Sequence, residues 1–150
     1  MNADICVIGG GLAGSEAAWQ LAQRGWKVDL YEMRPAVQTG VHTSADLAEL
    51  VCSNSLGSTL ADRASGVLIS ELEKLGSLLV KIARQTNLPA GSALAVDRLQ
   101  FSQKVTRMVE AHPSIRVIRE EVSDLPKQPA IIASGPVTSD RLSTALHKWT

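Results

Sequence analysis

Aromatic side chains are scarce in this chain of 150 residues: one Phe, one Tyr and three Trp, or 3% of the total. Aliphatic side chains must therefore do most of the packing within a hydrophobic content of 45%. Together with 20% charged residues, that balance and length describe about one ordinary globular domain. An excess of charge is lacking too. Fifteen basic and fifteen acidic residues cancel, so net charge gives no argument for nucleic acid or an anionic membrane, although it leaves a local basic patch open. Cysteine is limited to Cys6 and Cys52, which excludes a disulfide framework. No apolar run approaches the ~20 residues of a membrane span, and no basic, apolar leader precedes the first strand. The expectation is a protein of a reducing cytoplasm with both thiols free and no membrane partner. His42, His112 and His147 do not combine with Cys52 at zinc-site spacing, so no metal is expected.

What is present begins at the first strand. Ile5-Cys6-Val7-Ile8 is a continuous apolar run of the kind that forms a central parallel strand buried on both faces. Gly9, Gly11 and Gly14 follow with G-x-G-x-x-G spacing, and Leu12 to Gln23 reads as a helix carrying small residues, Ala13, Ala17, Ala18 and Ala22. Gly25 is placed to end it. Val28 to Glu32 is a second strand, so β-turn-α-β fills the first 32 residues. The first glycine permits a sharp turn, the second lets a pyrophosphate approach the backbone, and the third lets helix and strand pack closely. The helix start adds free N–H groups and the positive end of the helix dipole. A glycine pattern alone is weak, but one that leaves a strand and opens a helix has the context that gives it meaning. The whole turn, Gly9-Gly10-Gly11-Leu12-Ala13-Gly14, is thus a candidate pyrophosphate site. Glu32 lies 18 residues past Gly14, where a carboxylate accepts from ribose hydroxyls and favours FAD or NAD over NADP.

Residues 34–64 are polar and weakly periodic, a long excursion with one short helical stretch expected over Ala45 to Val51. Ser65 to Gln85 reads as one amphipathic helix, with Val67, Leu68, Leu72, Leu75, Leu78, Leu79 and Ile82 on its apolar stripe. A short strand at Leu94 to Val96 leads to a helix capped by Asp97 and Gln100, with Phe101, Val105, Met108 and Val109 inward. Ile115 to Ile118 is a strand that Glu120-Glu121-Val122 either continues or pairs in a hairpin. Ala130 to Ala133 is another buried strand, and Ser134-Gly135-Pro136 then offers a second glycine turn or an ordinary one. Lys104, Arg107, Arg116 and Arg119 are expected simply to face solvent. Cys6 belongs to the core. Cys52, in the excursion, is either an inert thiol or a nucleophile.

Several stretches resemble one family closely. They are Gly9 to Trp19, Tyr31-Glu32-Met33-Arg34-Pro35, Ala48-Glu49-Leu50-Val51-Cys52-Ser53-Asn54-Ser55-Leu56, Pro89 to Arg98 and Ser134-Gly135-Pro136. Over essentially its whole length the chain is similar to the N-terminal part of the folate- and FAD-dependent tRNA (uracil-5-)-methyltransferases. Leu47, where that family usually has an aromatic residue, and Ser134, in place of a threonine, are mild departures. The resemblance implies an α/β, Rossmann-like FAD-binding domain of the GR2 flavoprotein type, here as an N-terminal portion with an active-site excursion inserted at about 34–64. It implies FAD, methylenetetrahydrofolate, and NADH or NADPH as reductant. It further implies a tRNA T-loop uridine methylated at C5, cofactor contacts from the glycine turn, Glu32 and Gly135, and a catalytic Cys52. A 150-residue piece is expected to fall short of the whole reaction. Three alternatives stand beside it: another FAD oxidoreductase, a flavoprotein that modifies wobble uridine in tRNA, and a non-catalytic FAD-binding fragment.

Overall fold

The computed structural model describes residues 3–149. Four short apolar segments form a parallel sheet: β1 (Ile5–Ile8), β2 (Val28–Tyr31), β6 (Ile115–Ile118) and β7 (Ala130–Ile132), in the order β6-β2-β1-β7. Each pairing is parallel, with Val7 opposite both Leu30 and Ile131. Cys6, Val7 and Ile8 are buried, as a central strand requires. Helix α1 (Leu12–Gln23) crosses from β1 to β2. Its buried residues are Gly14, Ser15, Ala18 and Ala22, and their small size lets the helix axis lie close to the sheet.

A second, antiparallel sheet of order β3-β5-β4 is built from β3 (Ser55–Ser58), β4 (Asn87–Leu88) and β5 (Ala93–Val96). Helix α4 (Arg98–Glu110) follows β5 directly. As expected, the Asp97 side chain accepts from Gln100 N–H at its start. Phe101, Val105 and Val109 join Val7, Leu30, Leu78, Leu94 and Val96 in one aliphatic core. Met108, expected inward with them, is exposed.

The single long helix expected over Ser65 to Gln85 is two helices, α2 (Ala64–Lys74) and α3 (Leu78–Gln85). Gly76 breaks it at φ +74°, a conformation that favours glycine. Ser77 then caps α3 by accepting from Val80 N–H. Glu16, on α1, completes the break: its carboxylate accepts from Ser77 Oγ at 2.9 Å, Leu78 N–H at 3.2 Å and Leu79 N–H at 3.0 Å. The kink turns the apolar stripe, so Leu78 and Ile82 are buried while Val67, Leu68 and Leu75 face out. Since Glu16 satisfies the orphan donors of a helix N-terminus with an anion, Glu16→Ala is expected to cost about 1–2 kcal/mol. A urea midpoint unchanged from wild type would show that Ser77 caps α3 unaided.

Four other expectations are corrected. Ala45 to Val51 is not helical: Ala48 adopts φ +52°, its N–H donates to Gly10 O, and Leu47 N–H donates to Thr106 Oγ1. Backbone donors that find distant partners have no need of a local helix. Glu120 to Val122 lies outside the strands. β7 is only partly buried, because it has one strand neighbour among the described residues. Arg116 and Arg119 do more than face water. Arg116 grips the buried carboxylate of Asp29 at 2.6 Å, and Arg119 donates to Ala45 O and to Glu110. Among the described residues no helix is long and apolar enough to cross a membrane.

Candidate cofactor site

The C-terminal ends of β1 and β2 open into a cavity of about 450 Å³. Ligand sites in open parallel sheets lie at that end of the strands. Its lining includes Gly9, Gly10, Gly11, Leu12, Ala13, Glu32, Cys52 and Gly135, all of them singled out by sequence. Gly14 stands just behind, buried.

Each glycine of the turn has a separate geometric reason. Gly9 takes φ +104°, and a Cβ there would stand 2.6 Å from Ala133 O. Gly9 is therefore where the first turn packs against the segment after β7 that carries Ser134 and Gly135. A Cβ on Gly10 would meet Leu47 Cδ2 at 2.5 Å, so the excursion leans directly on the turn. A Cβ on Gly14 would fall 1.7 Å from Gly9 O, which is the close helix–turn contact. Gly11 differs: its Cβ direction is empty to 4 Å. The protein leaves space there, at the N-cap of α1, where the first backbone N–H groups lack intrahelical partners. That space fits a phosphate group.

Glu32 is buried at the end of β2. Its Oε2 accepts from Gly10 N–H at 3.0 Å, and its Oε1 accepts from Arg34 N–H at 3.0 Å and Arg34 Nε at 2.9 Å. Burial opposes its charge, but the Arg34 hydrogen bonds, the Arg34 charge and Gly10 N–H outweigh burial and hold the carboxyl below its ordinary range. Oε2 keeps a second lone pair for a ribose hydroxyl.

Sequence reasoning left Arg34 and Glu49 without a role, and the fold makes them central. Arg34 is 2% exposed. Besides Glu32 it donates to Glu49 Oε2 at 3.1 Å, Ser44 O at 3.2 Å and Asp46 O at 3.2 Å. Glu49 in turn accepts from the backbone and hydroxyl groups of Thr43 and Ser44. Burial works against the Glu49 charge, yet those four donors bring its pKa down to about 2. Arg34 thus ties Glu32 to the excursion that carries Cys52. The only sequence signal for this was two charges in a stretch too irregular to show which way they point.

Cys52 is free and exposed, and lines the same cavity as the glycine turn. Cys6 is buried, which pushes its thiol pKa up. Gly135, at φ +66°, opens a short 3₁₀ turn (Gly135–Val137), and the next helix, α5 (Asp140–Trp149), follows. Ser134 Oγ and Thr138 Oγ1 are hydrogen bonded at 2.7 Å. Among the described residues no group of three or more His, Cys, Asp or Glu is arranged to hold a metal.

A parallel sheet, a glycine turn opening a helix, and a carboxylate at the end of the second strand define an α/β dinucleotide-binding domain of Rossmann type. The chain belongs to the glucose inhibited division protein A family, whose model matches residues 4–146. It is similar to the methylenetetrahydrofolate–tRNA-(uracil-5-)-methyltransferase TrmFO of Natranaerobius thermophilus, 55% identical over 147 residues, covering 97% of this chain and 34% of that protein. The enzymes of the same name from Bacillus subtilis and Aquifex aeolicus are 54% and 52% identical, covering 97% and 99% of this chain and 34% of each relative. The chain therefore spans about a third of the length of the curated relatives it matches. Among solved structures, Aquifex aeolicus GidA in its form II crystal shares the fold at TM-score 0.68 and 22% identity, over 85% of this chain and 21% of that one.

Proposed function

We propose that this chain is the FAD-holding N-terminal part of a folate-dependent tRNA (uracil-5-)-methyltransferase acting in the cytoplasm. The observation that carries the reading is the shared cavity: Gly11, Glu32 and Cys52 line one space. The names of relatives at 52–55% identity supply the reaction class. The glycine turn and the α1 N-terminus hold the pyrophosphate, Glu32 the ribose, and Gly135 the other side of the cavity. When bound, FAD supplies the two-electron chemistry that the one-carbon unit of methylenetetrahydrofolate requires, with NADH or NADPH as reductant. The uracil C5 of a T-loop uridine is a weak nucleophile until a group adds at C6. The Cys52 thiolate is the chain's candidate for that role. An S–C6 bond forms and the C5=C6 electron pair moves onto C5. After C5 has accepted the carbon it loses its proton, and the S–C6 bond breaks. The excursion over 34–64 is on this reading the active-site segment that brings Cys52 over the cofactor.

The test grafts residues 1–146 in place of the matching third of the Bacillus subtilis relative. The chimera is expected to transfer labelled carbon from methylenetetrahydrofolate to a T-loop uridine when FAD and NADH or NADPH are supplied. Cys52→Ala in it should lower the rate at least about 100-fold, as loss of a covalent nucleophile does. Transfer by the variant at the unmodified rate would remove Cys52 from the chemistry. A chimera that binds FAD without transferring carbon would favour another flavoprotein function.

A further inference from the structure

Three charged side chains of the cavity, Glu32, Arg34 and Glu49, form one network. His42, also on the cavity wall, is outside it. Thr39 Oγ1 accepts from the His42 backbone N–H at 3.1 Å and lies 2.6 Å from His42 Nδ1. A threonine hydroxyl has one proton to give, and Nδ1 is the acceptor this geometry places in reach. Thr39 Oγ1 already accepts from the backbone, so a pair in which its own proton goes to Nδ1 puts the ring proton on Nε2, in a neutral imidazole. The electrostatics agree. Burial and the Arg34 charge push the His42 pKa below its ordinary value, against the weaker opposing pull of Glu49 and Glu32.

The cavity that His42 lines is also lined by Val41, Val51 and Val122. One N–H donor in an apolar wall is how a cavity orients a neutral heterocycle, by meeting a single acceptor on its edge. Resting on the FAD reading above, the glycine turn and Glu32 account for the ADP half of the cofactor, while Cys52 shares with His42 the part of the wall built by the excursion. We infer that His42 is a binding residue for the flavin half of FAD, its Nε2–H donating to a carbonyl oxygen or ring nitrogen on the edge of the isoalloxazine.

ADP and FAD separate the two halves. The chimera described above, carrying the unmodified segment or His42→Leu, His42→Gln or Thr39→Val, is titrated with FAD and, separately, with ADP, by calorimetry. His42→Leu is expected to weaken FAD about tenfold, the effect of one lost hydrogen bond in an apolar site, and to leave ADP unchanged. His42→Gln, whose amide nitrogen reaches the place of Nε2, should recover most of the FAD affinity. Thr39→Val, which frees the ring to change tautomer, should fall between them. Equal weakening of FAD and ADP by His42→Leu would mean a structural role and overturn the inference, as would no weakening of either. A chimera with the unmodified segment that binds neither ligand would overturn the FAD reading itself. Binding of both by that chimera, with an indifferent His42→Leu, would overturn the His42 assignment alone.

Discussion

Gly11→Val is expected to leave the chain folded and to weaken cofactor binding severely, whereas Gly14→Ala, a smaller change three residues away, destabilises the fold. The difference lies in what a new Cβ meets. At Gly11 nothing stands within 4 Å, and the backbone, at φ −72°, suits any residue. Valine there fills only the space that the proposed site gives to a pyrophosphate, so FAD affinity should fall at least about 100-fold, roughly 3 kcal/mol, with an unchanged melting temperature. At Gly14 the Cβ would stand 1.7 Å from the Gly9 carbonyl oxygen, which is backbone and cannot swing aside. Helix and turn must separate, at a cost of about 3 kcal/mol or more. For a domain of this size that lowers the melting temperature by about 10 °C. Thermal melts and FAD titrations on both variants check the pair. Equal losses of stability would show that Gly11 also serves packing.

Arg34→Leu is expected to be the most damaging change outside the glycine turn. The guanidinium is buried and donates to two carboxylates and two backbone carbonyls. Removing it leaves the Glu32 charge buried without its main partner and frees the Glu49 end of the excursion, at a cost of about 3–5 kcal/mol. The pH dependence gives a second, more specific signature. In the wild type both carboxyls have lowered pKa values, Glu49 down to about 2 from 4.5. A lowered folded-state pKa contributes stability that is complete above the unfolded value and is lost as pH falls through the folded value. Wild-type stability should therefore be flat between pH 7.5 and 5 and drop between about 4.5 and 2, as far as these two groups govern it. Without Arg34, burial dominates at Glu32 and raises its pKa, so the sign reverses: protonation favours the folded form. The variant should gain stability as the pH is lowered from 7.5 to 5. Urea midpoints across that range decide it, and a flat profile in Arg34→Leu would mean that Glu32 has found other donors.

Sequence and structure part company in the segments joining regular elements. The β1–turn–α1–β2 unit was legible because each part reports itself locally: a strand buried on both faces is uniformly apolar, and a turn that must avoid Cβ atoms is rich in glycine. Asp97 with Gln100 was legible for the same reason, since a helix cap is a contact between near neighbours. The break between α2 and α3 was hidden because the apolar period runs on through Gly76. What interrupts it is Glu16, a carboxylate about 60 residues earlier that satisfies the α3 N-terminus. The loop at Ala45 to Val51 reads as helical in sequence because its stabilising partners, Gly10 O and Thr106 Oγ1, are remote in the chain.

Sequence by itself determined the cofactor class. A glycine spacing that follows an apolar strand, and an acidic residue at the end of the next, are local patterns whose physical purpose is the same wherever they occur. The identity of segments such as Glu32-Met33-Arg34-Pro35 and Val51-Cys52-Ser53-Asn54 likewise singled out the family before any coordinates. Tertiary structure decided what joins these pieces. Arg34 becomes the buried tie between Glu32 and the Cys52 segment, and Thr39 is hydrogen bonded to the His42 ring on the wall of the same cavity. Such roles depend on burial and on hydrogen-bond partners set by the folding of an irregular stretch. A polar, aperiodic sequence carries no signal for which of its charges will be taken out of water.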